Sequence, residues 1–104
     1  GPYSPHRGLV IACSYGTSIS AADGGTVTFG GWSGTYGYLV TIDHGNGFVT
    51  YYAHNSSLLV SAGDKVYKGQ TIARAGSTGR STGTHCHFEV HRNGSLVNPL
   101  NYLP

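Results

Sequence analysis

The chain has 104 residues, of which only 10% are charged, and its formal net charge is +2. This length favours one domain with one modest core, and the scattered Lys and Arg residues argue against a nucleic-acid partner. No apolar run is long enough to span a membrane. We expect Gly1 and Pro2 to be the remnant of a cleaved tag and residues 3–104 to form a single domain.

The composition favours short strands over helices, since the chain contains 17 Gly and eight Tyr but no Met. Apolar, β-rich runs occur at residues 8–13, 26–29, 38–42, 48–53, 70–75 and 85–91. Gly-rich turn sequences separate these runs. The sequence "HGNG", between the runs 38–42 and 48–53, predicts a hairpin. We therefore predict an all-β fold, a small and mainly antiparallel sheet or sandwich.

The last of these strands, within "GTHCHFEVHRNG", has two chemically distinct faces. Side chains alternate along a strand, so one face carries three imidazoles and a carboxylate while the other is apolar. The first face comprises His85, His87, Glu89 and His91, and the second comprises Cys86, Phe88 and Val90. This pattern favours a metal or catalytic site, and the alternative is the solvated face of an edge strand.

The two cysteines, Cys13 and Cys86, are both predicted to face the core. In an exported protein they would be able to form a disulfide. The alternative is a pair of buried free thiols that pack as small apolar side chains. The sequence leaves both possibilities open.

Five stretches together resemble a known family, and they extend from about His6 to Leu103. They read "HRGL", "YGTSISAADGGTV", "VTIDHGNGFVTYYAHNSSL", "GDKVYKGQTIARAGSTGRSTGTHCHFEV" and "NPLNYL". The chain resembles the catalytic domain of the M23 zinc metallopeptidases, the lysostaphin and LytM-like peptidoglycan endopeptidases. The resemblance implies a sheet with a groove across it, Zn²⁺ as cofactor, a peptidoglycan peptide as substrate, and a location outside the cytoplasm in the bacterial wall or envelope.

The resemblance also implies roles for four histidines. His6 matches the first residue of the family's HxxxD motif and His87 the last residue of HxH, so both correspond to zinc ligands. His54 and His85 match the two histidines that do not bind the metal, assist the attacking water and stabilise the oxyanion. Zinc in such a site lowers the pKa of its bound water and polarises the carbonyl.

The sequence departs from the family at position 10, where Val10 replaces the aspartate of HxxxD. Neither Cys13, Cys86 nor Glu89 is positioned to replace this ligand, so we expect zinc binding to be weak or absent. A peptidoglycan endopeptidase impaired in hydrolysis is one prediction. A degenerate, non-catalytic domain that binds wall peptide or a protein partner is the alternative.

Aromatic side chains near the site are candidates for a substrate groove. We predict this role for Tyr36 and Tyr52. The alternative is that such tyrosines pack within or cover the sheet, because Tyr is common in strands.

Overall fold

The computed structural model describes residues 9–79 and 83–98, with only the backbone at 9–11. These residues form a nine-stranded sheet in which every strand pair is antiparallel, which confirms the all-β prediction. Its strands are β1 Leu9–Ala12, β2 Ser18–Ser20, β3 Gly25–Trp32, β4 Tyr38–Gly45, β5 Phe48–Leu58, β6 Lys65–Val66, β7 Thr71–Ala75, β8 His85–Arg92 and β9 Ser95–Val97. A single 3₁₀ turn, Gly34–Tyr36, lies between β3 and β4, and none of the described segments is a helix of membrane-spanning length and hydropathy.

The sheet places the beginning and the end of the described chain side by side. Its strand order is β1-β8-β5-β4-β3-β6, with β9 on β8 and with β7 joining β5 to β2. The strand that carries the HxH histidines, β8, therefore lies between β1 and β5 and is not an edge strand. This position gives residues of β8 cross-strand neighbours on both sides.

The β4–β5 connection is the hairpin that "HGNG" predicts. Asn46 and Gly47 form a two-residue loop with φ of 53° and 81°. Positive φ at both central residues is the requirement of a type I′ turn, which suits Asn-Gly. Asn93 and Gly94 make the same kind of connection between β8 and β9, with φ of 52° and 83°.

The hydrophobic core lies under the central strands. Its fully buried side chains come from β3, β4 and β7 and include Val27, Val40, Ile42 and Ile72. Burying an aliphatic side chain of this size contributes about 1.5 to 3 kcal/mol before entropic costs. This cluster therefore holds together the central strands beside β8, which carries the polar residues His87, Glu89 and His91.

Strand β5 is longer than the predicted run 48–53 because it continues through a kink at His54. His54 has a φ of 62°, and β5 pairs with β8 up to Ala53 but with β7 from Asn55 onwards. Asn55 is only 1% exposed, and its Nδ2 donates to the carbonyl oxygens of Tyr52 at 2.8 Å and Tyr38 at 3.0 Å. The buried amide thus holds the chain immediately after the kink.

Candidate functional site

The polar face of β8 is organised around one buried carboxylate. Glu89 is 5% exposed. His87 Nε2 lies 2.7 Å from its Oε2, His91 Nε2 lies 2.8 Å from its Oε1, and the Tyr36 hydroxyl lies 2.9 and 3.1 Å from the two oxygens. The face is therefore a buried hydrogen-bonded network, and the solvated edge-strand alternative is wrong.

The charge of Glu89 decides how its partners are protonated. Burial by itself would raise the pKa of Glu89, but the hydrogen bonds from His87, His91 and Tyr36 outweigh burial and lower that pKa below its ordinary value. An ionised carboxylate only accepts hydrogen bonds, so both histidines donate from Nε2. When its ring is neutral, His87 therefore carries its lone pair on Nδ1, the nitrogen that Glu89 does not use.

Aromatic rings enclose this network. The Tyr51 ring stacks on His91, with centroids 4.1 Å apart and 19° between the planes, and Tyr36 lies 5.8 Å from Tyr51 and 6.2 Å from His87. Burial and the charge of Glu89 raise the pKa of Tyr36, so its hydroxyl stays protonated and donates. The structure thus places Tyr36 beside His87, while its role in binding substrate stays a prediction.

His54, which lies on β5, is the neighbour of His87 on the adjacent strand. Its ring centroid lies 5.6 Å from that of His87, and its Nδ1 donates to the carbonyl oxygen of Thr78 at 2.8 Å. Burial lowers the pKa of His54, and the neighbouring His87 and His85 lower it further against the opposing effect of the Thr78 bond. His54 is therefore neutral at pH 7, with the lone pair on Nε2, as a proton acceptor requires.

The backbone conformation of His54 is unusual for a residue with a side chain. A φ of 62° falls in the left-handed region, which costs a non-Gly residue of the order of 1 to 3 kcal/mol. Such conformations persist where the surrounding structure enforces them, and they cluster at functional sites. Here the kink turns β5 from β8 toward β7 and sets the His54 ring against Thr78 and His87.

Two glycines let the loop that carries Tyr36 approach the loop that carries Thr78. Gly37 has a φ of 67° and Gly79 a φ of 72°. A Cβ on Gly37 would overlap the backbone of Thr78 and Gly79, and a Cβ on Gly79 would overlap the backbone of Gly37. Only glycine permits both this approach and these dihedrals, so the pair brings Tyr36 and the His54–Thr78 contact into one region.

The sheet also defines the position of Val10, the residue that departs from the family pattern. In the β1–β8 ladder, Val10 is paired with His87 and Ala12 with His85. His6 lies outside the described residues. Within the described part of the chain, no three His, Cys, Asp or Glu side chains are grouped so as to hold a metal. The ligand set therefore stays a prediction.

The two predicted groove tyrosines lie in different surroundings, Tyr36 beside Glu89 and Tyr52 on the core side of β5, and the groove role of Tyr52 stays a prediction. Tyr52 is 4% exposed and lies on the core face of β5, where it packs against Phe88 with centroids 5.5 Å apart. Its hydroxyl accepts the Ala22 N–H at 2.9 Å and lies 2.7 Å from Thr50 Oγ1. Strand alternation explains the difference, because Tyr51 and not Tyr52 is paired with Glu89.

Two members of the site are not assigned a role by the sequence analysis. Thr78 acts through its backbone carbonyl, which no sequence pattern distinguishes. His91 shares the predicted face, but its bond to Glu89 and its stacking on Tyr51 depend on the neighbouring strand. A sequence feature that indicates His91 is its spacing of two residues from Glu89, which puts both side chains on the same face of the strand.

The sequence profile of Peptidase family M23 matches residues 4–99. The chain belongs to Peptidase family M23. It is 47% identical to a Lipoprotein NlpD/LppB homolog of Pseudomonas aeruginosa over 97% of this chain and 34% of that protein. It is 45% identical to the DD-carboxypeptidase/endopeptidase Mpg of Neisseria meningitidis over 92% of this chain and 22% of that protein.

A third relative is the Murein hydrolase activator EnvC of Escherichia coli, 40% identical over 93% of this chain and 23% of that protein. The chain thus spans about a third or less of the length of these curated relatives. The relatives include proteins named as peptidases and proteins named as activators of hydrolases.

Solved structures confirm the fold. The catalytic domain of the antimicrobial peptidase lysostaphin from Staphylococcus simulans matches with a TM-score of 0.87 and 31% identity, over 98% of this chain and 86% of that one. A zinc containing peptidase from Vibrio cholerae matches with a TM-score of 0.90 and 36% identity, over 96% of this chain and 31% of that one. The small antiparallel sheet is therefore that of the lysostaphin type.

Proposed function

We propose that this M23 domain is a peptidoglycan endopeptidase domain whose hydrolysis of wall cross-link peptides is impaired by Val10. The observation that carries the proposal is the convergence of His87, His54 and Tyr36 around Glu89. A buried carboxylate that holds His87 beside a second, neutral imidazole is an arrangement typical of functional sites. The similarity to lysostaphin and to the peptidase Mpg supports a wall peptide as substrate.

The residues of this chain have distinct tasks in the proposal. His54, neutral and with its Nε2 lone pair not used by Thr78, accepts a proton at that atom. His85 acts beside it and stabilises the developing oxyanion, as the family resemblance implies. Glu89 fixes the tautomer and orientation of His87.

The chain does not fit a complete catalytic zinc site. Such a site needs three protein ligands, and the family pattern leaves His6 and His87 with Val10 in the third position. Directly paired antiparallel residues have Cα atoms about 4.5 to 5.5 Å apart, so position 10 is a close neighbour of His87. A valine there supplies neither a donor atom nor a negative charge, and no catalytic step through zinc is derived for this chain.

A binding module is the second candidate function. The relatives that favour it are the Murein hydrolase activator EnvC and the Lipoprotein NlpD/LppB homolog. In this alternative, the domain uses the same groove to bind a wall peptide or a protein partner, and the missing ligand has no functional consequence. Both alternatives place the protein in the bacterial wall or envelope, outside the cytoplasm.

The experiment that tests the proposal is Val10→Asp, with Val10→Asn as the matched control of the same shape without the charge. We expect Val10→Asp to lower the dissociation constant for Zn²⁺ by about 100-fold or more, because structural zinc sites bind with about 10 kcal/mol or more in total. Competition with a chromophoric chelator measures this constant. Release of peptides from purified peptidoglycan measures hydrolysis, and we expect it only with Val10→Asp.

Two results would contradict the proposal. Stoichiometric zinc in the unchanged protein would show that a ligand outside the predicted set completes the site. Tight zinc binding by Val10→Asp without any cleavage of peptidoglycan would instead favour the binding module. Co-sedimentation of both variants with peptidoglycan then measures whether the groove retains wall peptide.

A further inference from the structure

The two cysteines meet at the junction of β1 and β8. Cys86 lies in β8 and is paired with Ile11, while Cys13 is the first residue after β1. Their sulfur atoms are 2.7 Å apart, although the residues are separated by 73 positions in the sequence. A disulfide bond is about 2.05 Å long, so the two sulfurs are within about 0.7 Å of bonding distance.

We propose that Cys13 and Cys86 are an oxidation site at which a disulfide-containing oxidant, a small molecule or a protein, forms an intramolecular disulfide. The thiolate of one cysteine attacks the oxidant disulfide and releases one thiol. The second cysteine then attacks the resulting mixed disulfide and releases the other thiol. Two electrons and the two thiol protons leave the protein, and the oxidant disulfide is reduced to two thiols.

The surroundings of the pair allow an oxidant to reach it. Both cysteines are half-buried free thiols, and neither belongs to the buried core cluster. Cys86 also lines an open, mainly apolar cavity of about 470 Å³ together with Ile19 and Phe88. A thiol enclosed in a close-packed core would be inert, whereas this pair is partly accessible.

The geometry allows either cysteine to react first, because both are partly accessible. The other cysteine then acts as the resolving residue from across the 2.7 Å contact.

The cross-link would act at the candidate site. Cys86 stands between His85 and His87, and Cys13 follows the strand in which Val10 is paired with His87. A disulfide here ties the end of β1 to β8 and closes a long loop, which restricts the unfolded chain. The proposal does not depend on the proposed function, because it concerns the sulfur atoms alone.

The test compares the purified protein reduced with dithiothreitol and oxidised with oxidised glutathione. We expect oxidation to abolish both thiols titratable under denaturing conditions and to lower the intact mass by two hydrogens. The melting temperature should rise by about 10 to 30 °C, since closing a long loop is worth several kcal/mol and each kcal/mol shifts the melting temperature of a small domain by about 4 to 8 °C. Dithiothreitol should reverse the change.

Cys13→Ser and Cys86→Ser are the controls, and neither should show the reversible shift. The proposal is overturned if the unchanged protein keeps two titratable thiols after oxidation. It is also overturned if the products are only glutathione adducts or disulfide-linked dimers, because these show that the two sulfurs do not react with each other. The measurements on the unchanged protein stand even if a serine variant fails to fold.

Discussion

Two hydrogen-bonded networks lie on opposite faces of the β5–β8 pair, and both contain histidine. The core network joins His44, Thr50 and Tyr52, and the site network joins Tyr36, His87, Glu89 and His91. In the core network, His44 Nδ1 donates to the Gly24 carbonyl at 2.7 Å, and Tyr52 accepts from the Ala22 N–H at 2.9 Å. That network therefore begins and ends on backbone atoms.

The site network has a carboxylate at its centre and imidazoles at its ends. Glu89 uses one nitrogen of His87 and one of His91, and it leaves the second nitrogen of each ring to other contacts. A histidine with both nitrogens engaged by the scaffold, such as His44, has no atom left for chemistry. The hydrogen-bond partners of a histidine, more than its neighbours in sequence, therefore distinguish a structural residue from a functional one.

The largest effect is expected from Glu89→Ala. Removing the carboxylate leaves three donors in a buried space without their acceptor, so we expect the free energy of unfolding to fall by about 3 kcal/mol. In the Val10→Asp background, zinc affinity should also fall by about 10- to 100-fold, because Glu89 orients His87. Urea denaturation and chelator competition measure the two effects.

Glu89→Gln is the matched control for that variant. It keeps the shape and one acceptor oxygen but not the charge, so both losses should be smaller. If Glu89→Ala lowers stability by less than about 1 kcal/mol, the site network does not have the strength expected of buried, charge-assisted hydrogen bonds.

His44→Ala tests whether the core network contributes to stability without affecting the site network. The loss of His44 removes the histidine partner of the Gly24 carbonyl and one of the two hydrogen bonds of the Thr50 hydroxyl, and we expect a decrease of about 2 kcal/mol in the free energy of unfolding. Zinc affinity in the Val10→Asp background should not change, because the core network lies on the face of the β5–β8 pair opposite to the site network. A fall in zinc affinity comparable to that of Glu89→Ala would mean that the two networks are coupled through the strands.

A smaller effect is expected from acid in the metal-free protein. The folded-state pKa of His54 lies below its ordinary 6.5, so the unfolded chain takes up a proton first and stability falls as the pH drops below about 6.5. The folded-state pKa of Glu89 is likewise below its ordinary 4.5, and its stabilising contribution, fully present above that value, is lost as the pH falls through the folded pKa. Denaturation midpoints between about pH 8 and pH 2 cover the range in which these groups titrate and measure both losses.

His54→Asn is the control for the loss of stability that is assigned to His54. Asn tolerates the left-handed backbone at this position and does not titrate, so the loss of stability near pH 6 should disappear while the loss at lower pH remains. A pH profile identical to that of the unchanged protein would show that His54 does not have a depressed pKa.

Strand parity in β8 was enough to predict which residues share the polar face, since His87, Glu89 and His91 do meet there. The same rule applied to β5 places Tyr51 on the face of Glu89 and Tyr52 on the opposite face. The two-residue turn at Asn46–Gly47 was predictable because its chemistry is local.

Other features were beyond the reach of sequence patterns. The kink at His54 depends on the buried amide of Asn55 and on a change of partner strand, neither of which is a local signal. The approach of the Tyr36 loop depends on Gly37 meeting Gly79 across the fold. The short strands β2, β6 and β9 have two or three residues each, too few to show a periodicity.

The pairing of β1 with β8 has a consequence for how the molecule assembles. The β4–β5 hairpin closes through a two-residue turn, whereas β1 must wait for a strand more than half the chain away. Loop closure over such a distance is slow and entropically unfavourable, so the ladder that sets position 10 against His87 is expected to form late. During synthesis, β1 leaves the ribosome long before its partner β8. In the finished protein, we expect the amides of β1 to exchange with solvent sooner than those of β4, since β1 lies at the end of the described strand order and can open without disturbing the central strands.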